Sequence, residues 1–217
     1  MSQLEKHRKT SKTRFNIPGS SKVFIKFYQY VVSLRHKQFI NHESLAVSLE
    51  KVAKWIENGN GTCGLLLAGN PGNGKTTVIN TLVELIRCSK LPDPSQLDYY
   101  GNPIYAKLST FVATDLTRIY QSDPEQFNNI KKSSLLAIDD LGTEPVEIMS
   151  YGNYYSPIIE LLYFRYEKQL LTIISTNLTP KNITERYGER LSDRLSEMMT
   201  IVSFPDFSFR RSICKIT

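Results

Sequence analysis

The chain has 217 residues, of which 41% are hydrophobic and 22% are charged. This length predicts one large domain or one domain with a short appendage, and the composition excludes a wholly disordered chain. No apolar run approaches the length of a membrane span, and no apolar signal-peptide core follows the first residue. The three cysteines are too few and too scattered for a disulfide framework or a zinc site. We therefore expect a cytoplasmic protein with no membrane partner.

The net charge of +6 is concentrated near the start of the chain, where residues 1–26 contain seven Lys or Arg residues and one Glu. A basic arm in front of a neutral domain indicates an acidic partner surface or nucleic acid. A solvated, disordered terminus is the alternative. We expect a basic, flexible arm over residues 1–21, a helical segment over residues 22–60 and the main domain over residues 61–217.

Short apolar runs alternate with helical patterns along the rest of the chain. Strands are predicted at Gly64–Ala68, Ile104–Val112, Ser134–Ile138, Thr172–Thr176 and Thr200–Phe204. Helices are predicted at Glu43–Asn58, Thr76–Ser89, Asp115–Tyr120, Pro157–Gln169 and Ile183–Met198. Strands that alternate with helices require crossover connections, so the pattern predicts an α/β fold with a parallel sheet.

A glycine-rich segment lies between the first predicted strand and the helix that follows it. It fits the pattern G-x-x-x-x-G-K-[ST] at every fixed position. Its glycines allow a tight turn whose N–H groups point at a phosphate, and the helix adds its N-terminal dipole. The predicted nucleotide-binding residues are Gly69, Asn70, Pro71, Gly72, Asn73, Gly74, Lys75, Thr76 and Thr77. Lys75 is expected to reach the β- and γ-phosphates.

Two carboxylates follow the buried strand Leu135-Leu136-Ala137-Ile138. We expect Asp139 to hold Mg²⁺, directly or through water, together with the Thr76 hydroxyl. Asp140 is expected to orient or deprotonate the attacking water, and Glu144 is the next candidate for that role. Such a pair of acids is a weak signal alone and a strong one beside a phosphate loop.

These motifs resemble those of the DnaC-type AAA+ ATPases, which are bacterial and phage replicative-helicase loaders, with the IstB transposition helpers as relatives. The resemblance covers about residues 45–212. It rests on the phosphate loop, on LLAIDDLG at 135–142, on Ser-Thr-Asn at 175–177, on YGERLSDRL at 187–195 and on Ser-Phe-Arg at 208–210.

The resemblance implies a five-stranded parallel sheet in the order 5-1-4-3-2, flanked by helices, with ATP and Mg²⁺ as cofactors. It makes Asn177 a sensor amide near the γ-phosphate or the attacking water, whereas the residue alone also fits a turn-forming asparagine. It makes Arg190 an arginine finger acting in trans, with Arg194 the runner-up. Arg210 is then the second sensor, with Arg211 as the competing assignment.

Two positions depart from the family pattern. Asp140 stands where many members carry glutamate, and its side chain is one methylene shorter, so we expect slow ATP hydrolysis. Asp206 stands where a glycine is expected near the second sensor.

The implied function is to load or remodel a replicative DNA helicase on single-stranded DNA, with self-association through Arg190. Two alternatives remain: an IstB-like helper of DNA transposition and a non-catalytic, nucleotide-dependent scaffold. The tyrosine-rich segment 151–155 is the candidate for DNA contact, because exposed aromatic rings stack on single-stranded bases.

Overall fold

A computed structural model describes residues 16–58, 61–150 and 152–209. Its strands are β1 (Gly64–Ala68), β2 (Pro92–Leu97), β3 (Pro103–Tyr105), β4 (Ser109–Val112), β5 (Leu135–Leu141), β6 (Ile148–Ser150), β7 (Asn153–Tyr155), β8 (Leu171–Thr176) and β9 (Met199–Ser203). Its helices are α1 (Ser20–Ser33), α2 (Glu43–Glu57), α3 (Lys75–Ser89), α4 (Ala113–Ser122), α5 (Pro124–Lys132), α6 (Pro157–Lys168), α7 (Pro180–Tyr187) and α8 (Glu189–Met198). Among these residues no helix is both long and apolar enough to cross a membrane.

Five of the strands form one parallel sheet in the order β4-β5-β8-β1-β9. In the numbering of the predicted strands this is 2-3-4-1-5, so the predicted order, read from the other edge, is confirmed. The three central strands are buried along nearly their whole length. This explains why their sequences are apolar at consecutive positions and do not alternate with polar residues.

Helices cover both faces of the sheet. Leu65 and Leu67 of β1 pack with α1, α2 and α3, whereas Leu66 faces the core formed with α4 to α8. Successive side chains of a strand point to opposite faces, so one apolar strand supplies both cores. The result is a three-layer α/β domain in which α1 and α2 share a core with the phosphate-loop helix.

The structure differs from the predicted elements at several places, and strands β2, β6 and β7 were not predicted. The strand predicted over Ile104–Val112 is wrong as a single element, because Pro103–Tyr105 pairs with β2 in a separate hairpin and only Ser109–Val112 joins the main sheet. The helix predicted over Ile183–Met198 is wrong as well, since Gly188 adopts φ 86° and ψ 156° and divides it into α7 and α8. Helix α5 was not predicted.

Candidate functional site

The phosphate loop connects β1 to α3 at the carboxyl ends of the parallel strands. Gly72 and Gly74 have φ of 87° and 102°, in the left-handed region that favours glycine. A side-chain carbon at Gly74 would lie 2.5 Å from the Tyr28 hydroxyl oxygen of α1. Glycine is therefore required at position 74 both by the backbone and by the close approach of α1.

The Lys75 ammonium connects the loop to the neighbouring strand β8. It donates to the carbonyl oxygens of Gly69 and Asn70 (2.6 and 2.9 Å), to Asn73 Oδ1 (3.1 Å) and to Asn177 Oδ1 (2.8 Å). Lys75 is buried, while Asn177 is exposed at the end of β8. The structure thus brings the predicted phosphate-binding lysine and the predicted sensor amide into direct contact.

The predicted metal ligands also meet at this edge. Thr76 Oγ1 donates to Asp139 Oδ1 at 3.3 Å, and the Ser175 hydroxyl donates to the same carboxylate oxygen. Ser175 Oγ also accepts a bond of 2.9 Å from the Asp140 amide. A hydroxyl next to a buried carboxylate is an oxygen donor set that suits Mg²⁺. Sequence reasoning gave Ser175 no role of its own, and the structure shows that it orients Asp139.

Asp140 lies at an irregularity in β5. The register between β5 and β8 shifts between Ile138 and Leu141, and Asp140 has φ 55°. An extra residue in a strand turns a side chain away from its regular direction, and such bulges are common beside active sites. Asp140 lines the same cleft as Lys75 and Asn177, so the bulge presents a carboxylate to the predicted reaction centre.

Glu144, the alternative base, is held elsewhere. Its side chain is buried and accepts bonds from the Gly142 amide (2.9 Å) and from the Tyr187 hydroxyl of α7. Burial, reinforced by the Glu144 carboxylate, raises the pKa of Tyr187, which keeps the phenol protonated as the donor. Within the described part of the chain Glu144 does not line the cleft, which leaves Asp140 as the better-placed carboxylate.

The two candidate finger arginines lie on α8 against the tyrosines of α6. The Arg194 guanidinium lies 4.6 Å from the ring centroid of Tyr163 and 5.0 Å from that of Tyr166. Arg190 is more exposed and lies 5.8 Å from the Tyr163 ring. Neither arginine is among the described residues that line the cleft of their own chain.

The segment after β9 lies directly on the phosphate loop. The Phe209 amide donates to the Gly72 carbonyl (3.0 Å), and Asp206 Oδ1 accepts a bond of 3.0 Å from the Asn70 amide group. Asp206 therefore braces the loop at the position where a glycine was expected. The two candidates for the second sensor, Arg210 and Arg211, lie outside the described residues.

One wall of the cleft comes from α1 and the connection to α2, a contribution that was not predicted. Its residues are Tyr28, Val32, Arg35, Lys37, Gln38, Phe39, Ile40 and Leu45. Burial raises the pKa of Tyr28 to about 12, against a hydrogen bond with Thr77 and the charge of Arg35, which both lower it. The buried spacing of Phe24, Tyr28 and Val31 is a helical signal for packing, and nothing in the local sequence marks these residues as part of a ligand site.

Exposed tyrosines occur on both small hairpins. In the β6–β7 hairpin, Tyr154 is 73% exposed and Tyr155 lies 5.8 Å from Tyr120, measured between ring centroids. Tyr151, predicted as part of the same group, lies outside the described residues. In the β2–β3 hairpin, Tyr99 and Tyr100 are 97% and 84% exposed. Tyr99 and Tyr100 lie outside the segment predicted to contact DNA.

Several solved structures have a similar fold. The DnaC helicase loader is 20% identical, with a TM-score of 0.57 over 77% of this chain and 93% of that one. DnaI is 16% identical, with a TM-score of 0.56 over 77% and 88% of the two chains. AMPPCP-bound DnaA from Aquifex aeolicus is 16% identical, with a TM-score of 0.52 over 76% of this chain and 48% of that one.

No protein-family model matches the sequence, and no curated protein matches it significantly. The relation of this chain to known proteins therefore rests on its fold and its motifs. The five-stranded order, the phosphate loop after β1 and the paired acids at the end of β5 agree with the predicted resemblance to the DnaC-type proteins. The chain therefore has an α/β fold of the AAA+ P-loop type, similar to the folds of the DnaC helicase loader and DnaI.

Proposed function

We propose that the protein binds ATP with Mg²⁺ at the carboxyl ends of β1, β5 and β8 and hydrolyses it. The observation that carries this proposal is the convergence of Lys75, Asn177, Thr76 and Asp139 on one edge of the sheet, joined by bonds of 2.8 and 3.3 Å. Lys75 and the loop amides bind the phosphates, and Thr76 and Asp139 hold the metal ion.

Asp140 acts on the attacking water in this proposal. Its position on the bulge of β5, in the cleft that contains Lys75 and Asn177, supports that role. Among the side-chain amides bonded to Lys75 in the described part of the chain, that of Asn177 is the nearer, so it contacts the γ-phosphate or the water once Lys75 binds phosphate. The shorter carboxylate predicts slow turnover, which suits a switch better than a motor.

Arg190 supplies the finger to the site of a neighbouring subunit. Arg194 is held by two tyrosine rings, whereas Arg190 is exposed on the same helix face. An arginine finger contacts the nucleotide of an adjacent subunit, so the more exposed guanidinium suits this role better. The protein would then assemble into a ring or spiral when ATP is bound.

The cellular role that these features support best is loading or remodelling a replicative helicase on single-stranded DNA. The fold is that of the DnaC helicase loader and DnaI. The exposed tyrosines of the β6–β7 hairpin, which follows the strand that bears Asp139 and Asp140, would stack on the bases of single-stranded DNA. The basic residues of the N-terminal arm would add phosphate contacts.

The direct test is ATP turnover without DNA, with single-stranded DNA and with duplex DNA, with Asp140→Asn as the inactive control. We expect turnover that single-stranded DNA stimulates and that Asp140→Asn abolishes while it still binds ATP. No turnover by the wild type under any condition would favour the scaffold, and a preference for duplex DNA would favour the transposition helper. Affinity capture with a non-hydrolysable ATP analogue, followed by identification of a helicase or a transposase, tests the partner.

A further inference from the structure

Arg35, in the turn that follows α1, lies beside the first turn of α3, the helix that follows the phosphate loop. Helix α1 ends at Ser33, and the turn that follows is closed by a bond of 3.1 Å from the Arg35 amide to the Val32 carbonyl. This turn directs Arg35 toward α3, where its Nη1 donates to Thr77 Oγ1 at 3.4 Å. The N–H groups in the first turn of a helix favour anions, so Arg35 adds a positive charge where the helix dipole already does so.

Arg35 lines the cleft beside Thr77. The end near the strands is polar and contains Lys75, Asp140 and Asn177. The wall beside α1 and α2 is largely apolar and contains Tyr28, Val32, Phe39, Ile40, Leu45 and Phe209. Thr77 lies in the first turn of α3, two residues after Lys75. A nucleotide that places its γ-phosphate near Lys75 and its base against the apolar wall therefore has its α-phosphate close to this turn, where Arg35 contacts Thr77.

We infer that Arg35 binds the α-phosphate of the nucleotide, an inference that rests on the proposed ATP site. A guanidinium is charged at any physiological pH and offers a planar fork of donors that matches two phosphate oxygens. Its present acceptor is a neutral hydroxyl at 3.4 Å, at the long end of hydrogen-bond distances. A phosphate oxygen is a stronger partner for the same group.

This contact also links the N-terminal helix to the nucleotide. The Tyr28 hydroxyl of the same helix lies against Gly74, and Tyr28 and Arg35 both contact Thr77. A nucleotide that engages Arg35 therefore fixes the end of α1 relative to the phosphate loop.

The test compares the affinities of ATP, ADP, AMP and adenosine, measured by competition against a fluorescent ADP analogue, in the wild type and in Arg35→Ala. Loss of a hydrogen bond between charged groups should lower the affinities for ATP, ADP and AMP by the same factor, about 10- to 100-fold, and leave the affinity for adenosine unchanged. Arg35→Lys keeps the charge but not the planar fork of donors, so its nucleotide affinities should lie between those of the wild type and those of Arg35→Ala. Lys26→Ala removes the same charge from an exposed position on α1 outside the cleft and should change nothing.

Unchanged ATP affinity in Arg35→Ala would overturn the inference, and so would an equal loss for adenosine, which would mean a contact with the base or ribose. Arg35 is exposed, so thermal unfolding should show that Arg35→Ala is folded. If Arg35→Ala is unfolded, Arg35→Gln replaces it, and affinities of Arg35→Gln for the four ligands equal to those of the wild type would also overturn the inference. Lys75→Ala in the same assay separates the two proposals. An effect of Lys75→Ala with none of Arg35→Ala contradicts this inference alone, whereas normal ATP binding by Lys75→Ala contradicts the ATP site itself.

Discussion

Replacing Asp140 by glycine should separate catalysis from stability. With φ 55°, Asp140 occupies the left-handed region, which costs an L-residue about 1–2 kcal/mol. Glycine avoids that strain but adds about 0.5–1 kcal/mol of chain entropy to the unfolded state. The backbone bonds of this position, to Ser175 Oγ and from the Thr143 amide, persist in glycine. The free energy of unfolding of Asp140→Gly should therefore stay within about 1 kcal/mol of the wild type.

The rate of ATP hydrolysis should instead fall by about 10²–10⁴-fold, the usual contribution of a positioned base. Urea unfolding and a coupled ATPase assay give the two readouts. Lys90→Gly is the matched control, because Lys90 is exposed at the end of α3 with φ 49° and lies away from the cleft. It should be at least as stable as the wild type and hydrolyse ATP normally. Undiminished turnover by Asp140→Gly would refute the catalytic role, and destabilisation by several kcal/mol would refute the argument from backbone strain.

Three further predictions concern the core, the pH dependence and the assembly. Arg165 is fully buried and donates to Thr172 Oγ1 and to the carbonyls of Lys131, Ser133 and Leu171. Arg165→Ala leaves these acceptors unsatisfied and opens a cavity, so it should lower the free energy of unfolding by about 4 kcal/mol or more in urea unfolding. A loss below about 1 kcal/mol would contradict this prediction. The pKa of Tyr28 is raised from 10.0 to about 12, so Tyr28 ionises at lower pH in the unfolded chain than in the folded protein. The stability that protonated Tyr28 contributes is therefore complete below pH 10 and is lost as the pH rises toward 12. Tyr28→Phe should reduce that alkaline loss in unfolding measured as a function of pH, and an identical pH profile would count against it. Mixing Arg190→Ala with Lys75→Ala, each inactive alone, should restore part of the ATPase activity if the finger acts in trans, and no recovery with co-assembling, folded subunits would argue against it.

The strands of the main sheet and the position of the phosphate site could be predicted because their signals are local. The consecutive apolar residues at 65–67 and 135–138 follow from burial on both faces of the sheet. The phosphate loop needs glycines at fixed positions, and the paired acids come directly after a buried strand. The sheet order and the roles of the arginines came from the resemblance, because no local pattern specifies which strands become neighbours.

The break between α7 and α8 was hidden by the periodicity of the sequence. Ile183, Tyr187, Leu191 and Leu195 recur every four residues and are all buried, so the apolar face continues across Gly188. A glycine inside such a pattern is compatible with one helix, and only tertiary packing decides the turn. Helix α5 had a usable signal in Asp123 followed by Pro124, a capping residue and a first-turn proline, although it buries only two side chains.

The contribution of α1 to the cleft could not be predicted because it depends on contacts between distant parts of the chain. Arg35 and Thr77 are 42 positions apart, and Tyr28 and Gly74 are 46 apart. Asp206 is similar, since its contact with Asn70 joins positions that are 136 apart. At each of these positions the residue type is compatible with an ordinary surface role, and the fold alone gives it a place at the site.

The central claim is that ATP and Mg²⁺ bind where Lys75 meets Asn177 and Thr76 meets Asp139. Calorimetric titration of ATP, with and without Mg²⁺, into the wild type, Lys75→Ala and Asp139→Asn tests it most directly. We expect tight binding by the wild type, none by Lys75→Ala, and weaker binding by Asp139→Asn that Mg²⁺ no longer improves. Wild-type affinity in Lys75→Ala, or an undiminished effect of Mg²⁺ in Asp139→Asn, would contradict the account.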